Sequence, residues 1–102
     1  MKILFLIKKQ KVNKAGLTPI MCRITFEKER KQFSTGVFVN PKFWSKEKQK
    51  ILEEDENAGN WNKQISLIKQ KLGQAFLMLQ IQEKLFDVDD VYKIFCGEDT
   101  KK

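Results

Sequence analysis

The side chains that ordinarily carry catalysis are sparse in this 102-residue sequence and poorly spaced for it. Its carboxylates fall largely into two groups. Glu53-Glu54-Asp55-Glu56 is a contiguous polar run, the pattern of a solvated surface. Asp87, Asp89 and Asp90 stand just ahead of an apolar-periodic stretch, the pattern of a helix cap with acids in the first turn. Neither looks like a general acid and base held on a scaffold. Tyr92 lies in that same amphipathic stretch, where packing suits it better than nucleophilic work. There are 0 histidines, which removes imidazole bases, the usual serine and cysteine triads and His-ligated zinc. Cys22 and Cys96 form no CxxC and are too few for an all-cysteine zinc site. They fit either one disulfide or two reduced thiols, and a Lys-rich chain favours the thiols of a cytoplasm. Gly16, Gly36, Gly59, Gly73 and Gly97 form no phosphate-cradling loop. No cofactor and no metal are expected.

The remaining chemistry is cationic. The formal net charge is +7, but residues 1–50 hold 13 Lys+Arg against 3 Asp+Glu while residues 51–102 hold 7 against 10. A net of +10 therefore sits on the N-terminal half and −3 on the other. Such a half suits a polyanion (DNA, RNA or an anionic membrane) or is simply a Lys-rich solvated surface.

The elements that position these cations follow from hydrophobic period. Met1 to Ile7 begins like a signal peptide, but Lys8-Lys9-Gln10-Lys11 cuts the apolar run short, so residues 3–8 read as a strand. Gln10 to Thr18 reads as a loop. In residues 19–27, Ile20, Cys22, Ile24 and Phe26 alternate with Met21, Arg23 and Thr25, a half-buried strand. Residues 30–39 are a third strand, with Gly36 marking a bulge. A turn at Lys28-Glu29 pairs Arg23 with Ser34, Thr25 with Gln32, Glu27 with Arg30 and Ile24 with Phe33. Asn40-Pro41 is a cap with Pro at the first helical position, followed by one turn that tucks Phe43 and Trp44 under the sheet. Residues 45–57 read as a linker or an exposed loop. From Asn60 the period becomes 3.6: Trp61, Ile65, Ile68, Leu72, Ala75, Phe76 and Leu79 form one stripe of a helix over about 60–85. A second stripe, Leu77, Met78, Ile81 and Leu85, needs a partner, which a short helix over 88–96 (Val88, Val91, Ile94, Phe95), stopped by Gly97, is placed to supply. Residues 98–102 read as a frayed tail. No stretch approaches the roughly 20 apolar residues of a membrane span.

The expected fold is therefore α+β, one domain over residues 1–97. It is a three-stranded antiparallel β-meander packed on a long C-terminal helix, with a short second helix at the C-terminus. One sheet face packs on the long helix. No element is left to cover the other, which collects Arg23, Thr25, Arg30, Gln32 and Ser34. Arg bridges guanine O6 and N7, Gln bridges adenine N6 and N7, and Ser and Thr pair with either. A β-ribbon fits the major groove of B-DNA, about 12 Å wide. Lys8, Lys9, Lys11, Lys14, Lys28 and Lys31 are the phosphate candidates. Single-strand and RNA-recognition sheets stack bases on exposed aromatics; Phe26 and Phe33 fall on the buried face, which favours duplex DNA. The competing account of Arg23 and Arg30 is ordinary cross-strand pairing, such as Arg30 with Glu27. A membrane surface is disfavoured, since no helix has a basic polar face.

The order of motifs is itself distinctive. Lys8-Lys9, Asn13-Lys14-Ala15-Gly16, Pro19 to Thr25, Lys31-Gln32-Phe33-Ser34-Thr35-Gly36-Val37 and Val39-Asn40-Pro41-Lys42-Phe43-Trp44 are followed by Asn62 with its apolar helix and Asp87-Val88-Asp89-Asp90-Val91. Together they resemble the N-terminal arm-type DNA-binding domain of phage-type tyrosine recombinases, or integrases, and above all the conjugative-transposon branch. The resemblance implies binding to arm-type duplex sites through the three-stranded sheet, in DNA integration and recombination. It also implies protomers of the same recombinase as partners and a bacterial, cytoplasmic, nucleoid-associated setting. A core-binding domain and a catalytic domain with Arg, His and a Tyr nucleophile follow in such enzymes; a chain without histidine lacks that set and reads as a non-catalytic N-terminal fragment. Lys28-Glu29 departs from the Asn-Gly type of turn. It leaves Glu27 and Glu29 either to weaken binding or to accept from cytosine N4. The alternative reading is a protein–protein or interdomain docking module using Leu77, Met78, Ile81 and Leu85.

Overall fold

The computed structural model describes residues 1–83 and 85–97; the expected frayed tail, 98–102, lies outside them. Three strands, β1 (Lys2–Ile7), β2 (Thr18–Phe26) and β3 (Glu29–Val39), form an antiparallel sheet in the order β1-β2-β3. A 3-10 turn (Pro41–Phe43) leads into a two-stranded hairpin, β4 (Trp44–Ser45) and β5 (Lys50–Ile51). Helix α1 (Ala58–Ile81) and helix α2 (Val88–Cys96) complete the α+β fold.

The alternation in β2 does what its period demands. Ile20, Cys22 and Ile24 are fully buried, and Phe5, Val37 and Val39 join them from the neighbouring strands. Against this face α1 lays Ile65, Leu72, Ala75 and Leu79, with Trp61, Ile68 and Phe76 at the margin. Burying one aliphatic side chain of this kind stabilises the fold by about 1.5–3 kcal/mol, so this face holds the sheet and leaves the opposite one free.

The β2–β3 hairpin turns one residue earlier than the sequence reading expects. Glu27 and Lys28 occupy the turn with φ of 52° and 68°, so Phe26 faces Glu29. Thr25 pairs with Arg30, Arg23 with Gln32, Met21 with Ser34 and Cys22 with Phe33. Two consecutive left-handed residues match the strand twist, and the turn adopts this geometry without Asn or Gly. The register moves by two residues, an even number, so every side chain keeps its expected face.

The Ser34-Thr35-Gly36 segment builds the bulge. Gly36 has φ 81°, and the register shifts between Pro19 and Met21. The Thr35 hydroxyl donates to the Ile20 carbonyl (2.8 Å) and accepts from the Val37 N–H (3.1 Å), while Ser34 Oγ accepts from the Gly36 N–H (3.2 Å). Asn40 caps the following turn by accepting from the Lys42 N–H at 3.0 Å.

Residues 45–57 are more than the linker their polarity suggests. Gln49, at φ 55°, places its amide against the free edge of β1, accepting from the Phe5 N–H (2.6 Å) and donating to the Phe5 carbonyl (2.9 Å). Asn62 of α1 repeats the device one layer down, accepting from the Ile51 N–H (2.8 Å) and donating to the Ile51 carbonyl (2.9 Å). An amide that answers both backbone groups substitutes for a missing strand and blunts an edge.

Helix α1 ends at Ile81, four residues before its helix-forming composition suggests, with Glu83 left-handed at φ 57°. The reason is tertiary. Phe86 turns inward to stack on Phe26 (5.0 Å between ring centroids) and to meet Phe76 edge-on (5.6 Å). Helix α2 opens with the expected Asp87 cap, a reciprocal capping box with Asp90, and stops at left-handed Gly97. It does not cover the second stripe of α1. Val88 and Val91 enter the main core and Phe95 meets Phe33, while Leu77, Met78, Ile81 and Leu85 remain exposed.

Candidate nucleic-acid interface

The uncovered sheet face is built from the outward positions of all three strands. The register sets them in rows: Lys2–Thr25–Arg30, then Leu4–Arg23–Gln32, then Leu6–Met21–Ser34, with Pro19–Phe38 beyond the bulge. All five base-reading candidates, Arg23, Thr25, Arg30, Gln32 and Ser34, thus share one face. Outward residues on a strand repeat about every 6.7 Å, close to two base-pair steps of about 3.4 Å. Three strands span about 10 Å, within a major groove about 12 Å wide. Arg30, Gln32 and Ser34 are exposed, and Arg23 and Thr25 are half-buried by their neighbours. Ser34 accepts the Gly36 N–H, which leaves its hydroxyl proton and one lone pair for a ligand.

The phosphate candidates divide. Lys8 follows β1, and its carbonyl accepts from the buried Thr18 hydroxyl (2.6 Å), which anchors the loop. Lys9 and Lys11 fall in the 3-10 turn Lys9–Lys11. Lys14 is exposed in the loop that Asn13 organises by accepting from the N–H groups of Ala15 and Leu17. Lys28 is exposed at the hairpin tip. Lys31 stands apart. It lies opposite Ile24 on the helix side of the sheet, with Nζ 3.1 Å from Asp89 Oδ1 and 4.9 Å from the Tyr92 ring centroid.

The structure adds residues that the sequence reading missed. Lys2 shares the row of Thr25 and Arg30, legible from the parity of β1. Lys46 lines a cleft of about 200 Å³ with Leu4, Leu6 and Trp44, at the rim of the open face; its only sequence signal was the Lys46, Lys48, Lys50 run. The open face is also less polar than expected. Leu4 (40% exposed) and Phe38 (43%) stand on it with Leu6 and Met21.

Burial pushes the Cys22 thiol up to about 12, so it stays protonated and inert, whereas Cys96 is exposed. Among the described residues no cluster of three metal-ligating side chains occurs, and no helix is long and apolar enough to cross a membrane.

A family model described as an arm DNA-binding domain matches residues 5–92, from the middle of β1 into α2. The chain belongs to the arm DNA-binding domain family. No curated protein and no solved structure matches significantly. Membership makes this arm domain a non-catalytic module whose partner is DNA. The matched segment contains the whole of β2, β3 and α1, and so most of the open face together with the helix that supports it.

Proposed function

We propose that this arm domain binds arm-type sites in duplex DNA by laying the open face of its sheet in the major groove. It does so as the N-terminal module of a phage-type tyrosine recombinase of the conjugative-transposon branch, working with other protomers in the bacterial cytoplasm. The observation that carries the reading is the set of three rows, in which Arg23, Arg30 and Gln32 project from an uncovered face beside Lys2. Arg23, Thr25, Arg30, Gln32 and Ser34 read base edges. Lys8, Lys9, Lys11, Lys14 and Lys28 hold phosphates, joined by Lys46, whereas the Asp89 partner of Lys31 draws that side chain toward α2. Glu27 lies in the turn, and Glu29 opens β3 opposite Phe26.

The test is selection from a randomised duplex pool, followed by titration of the selected duplex at several salt concentrations. Contacts from about five of these six lysines give a slope of log K on log[salt] near −4.5. Shifts at Arg23, Arg30 and Gln32 in an NMR titration support the sheet face; shifts confined to the helices refute it.

A second reading concerns α1. Ile81 is 70% exposed and stands with Leu77 and Met78 on an apolar stripe of α1, and Leu85, beyond the end of the helix, is exposed as well. This suits docking of a neighbouring domain or protomer and is compatible with DNA on the sheet. A flat salt response, with no duplex selected, would favour it as the main role.

A further inference from the structure

The open face changes character along its strands. The two rows nearest the β2–β3 turn carry Lys2, Thr25, Arg30, Arg23 and Gln32, with Leu4 their sole apolar side chain; the rows beyond carry Leu6, Met21, Pro19 and Phe38, with Ser34 their sole polar side chain. An antiparallel sheet with one face on the core ordinarily turns polar residues outward. Here β1 is apolar on both faces from Ile3 to Ile7, and the Gly36 bulge presents Phe38 outward at 43% exposure. This apolar end is continuous with the Arg23–Gln32 row, and Lys46 borders it beside Leu4 and Leu6. A surface that is apolar at one end, with Arg23 on one side of that end and Lys46 on another, fits a polyanion with an apolar feature on its floor.

In the major groove that feature is the C5-methyl group of thymine, which apolar side chains contact. We infer that Met21 and Phe38, flanked by Leu6, seat on thymine methyl groups, offset from the bases read by Arg23 and Gln32. The offset is about two base pairs for Met21, one row away, and larger for Phe38. The recognised site then has two chemical halves: a purine-reading half under the arginines and glutamine, and a thymine-reading half under the apolar end. This rests on the sheet-face reading of the previous subsection.

The experiment uses the whole chain and a randomised duplex pool, with the selected duplex then resynthesised with deoxyuridine in place of thymidine at each position in turn. Deoxyuridine pairs identically and lacks only the methyl group. Each seated methyl should weaken binding about fourfold on removal. In the double variant Met21→Ala, Phe38→Ala, thymidine and deoxyuridine duplexes should bind alike. The unmodified protein carries the first measurement, so a variant that fails to fold does not void the test. If a duplex is selected but every deoxyuridine form binds within twofold, the methyl assignment falls and the sheet-face reading stands. A methyl effect that persists in a folded double variant also refutes the assignment to these residues. If no duplex is enriched, both fall. The same randomised sequences are offered single-stranded in parallel, and preference for them overturns the inference and turns Phe38 into a base-stacking group.

Discussion

Removing the Asn62 amide should unfasten the support beneath the three-stranded sheet without touching its open face. The Leu52 N–H bonds the Phe43 carbonyl (2.6 Å), which turns the Ile51 backbone groups away from β4 and toward α1. Asn62 satisfies both, at 2.8 and 2.9 Å, and Ile51 is 0% exposed. In Asn62→Ala the part-buried Ile51 N–H and carbonyl both lose their side-chain partner. Each such group costs about 1–3 kcal/mol, and local relaxation with water entry brings the sum to about 2–4 kcal/mol. That is a large part of the 5–15 kcal/mol typical of a domain, and the melting temperature should fall by at least about 8 °C. Urea unfolding of the variant and its parent measures the difference. Asn62→Asp keeps an acceptor for the Ile51 N–H but sets a carboxylate oxygen against the Ile51 carbonyl, so it should be no better than alanine near neutrality. Its deficit should shrink in acid, where a protonated carboxyl donates again. DNA affinity measured at 10 °C, where each variant is folded, should stay within twofold. A loss below about 0.5 kcal/mol for Asn62→Ala would refute the argument, because it would mean that water replaces both hydrogen bonds of the part-buried Ile51 peptide groups at almost no cost.

Other perturbations separate face from scaffold. Arg23→Ala should cost about 1–3 kcal/mol of binding to the selected duplex and relax specificity at one position; an equal loss on all sequences would make Arg23 a phosphate contact. Lys31→Met should change stability by no more than about 1 kcal/mol, since its ion pair is well exposed, and a clear drop in DNA affinity would place Lys31 in the interface after all. Replacing Glu27-Lys28 by Asn-Gly should stabilise the fold by about 1 kcal/mol, because both residues hold positive φ; destabilisation in thermal melts would contradict the turn geometry. For Cys22 the charged form is disfavoured in the folded state, with its ionisation raised from 9.0 to about 12. Stability from this group is therefore complete below pH 9 and is lost above it, by up to about 1.4 kcal/mol per pH unit. The advantage of the parent over Cys22→Ala in chemical unfolding should narrow over that range, and an unchanged gap would count against a buried neutral thiol.

Much of the face was legible because strand parity is robust. The alternation of Ile20, Cys22 and Ile24 with Met21, Arg23 and Thr25 assigned both faces, and the two-residue register error left that assignment intact. The Asp87 cap, the Gly97 stop and the Gly36 bulge were legible for a related reason, since each is a local conformational preference written in one or two residues. Outward apolar positions were harder. Leu4 and Phe38 look like core residues by type, and strand parity, not residue type, turns them outward.

Local period and residue type thus determined the strands, the helices, the faces and the cationic half of this chain, because they act over a few residues. What the tertiary structure decided required distant partners. Gln49 finds the edge of β1 across 44 residues, and Asn62 finds Ile51 across 11. Phe86 ends α1 early by stacking on Phe26, and Lys31, on the helix side of the sheet, finds its partner Asp89 in α2. Backbone groups, aromatic rings and charges must be satisfied wherever the chain brings them, and no local pattern encodes which partner arrives.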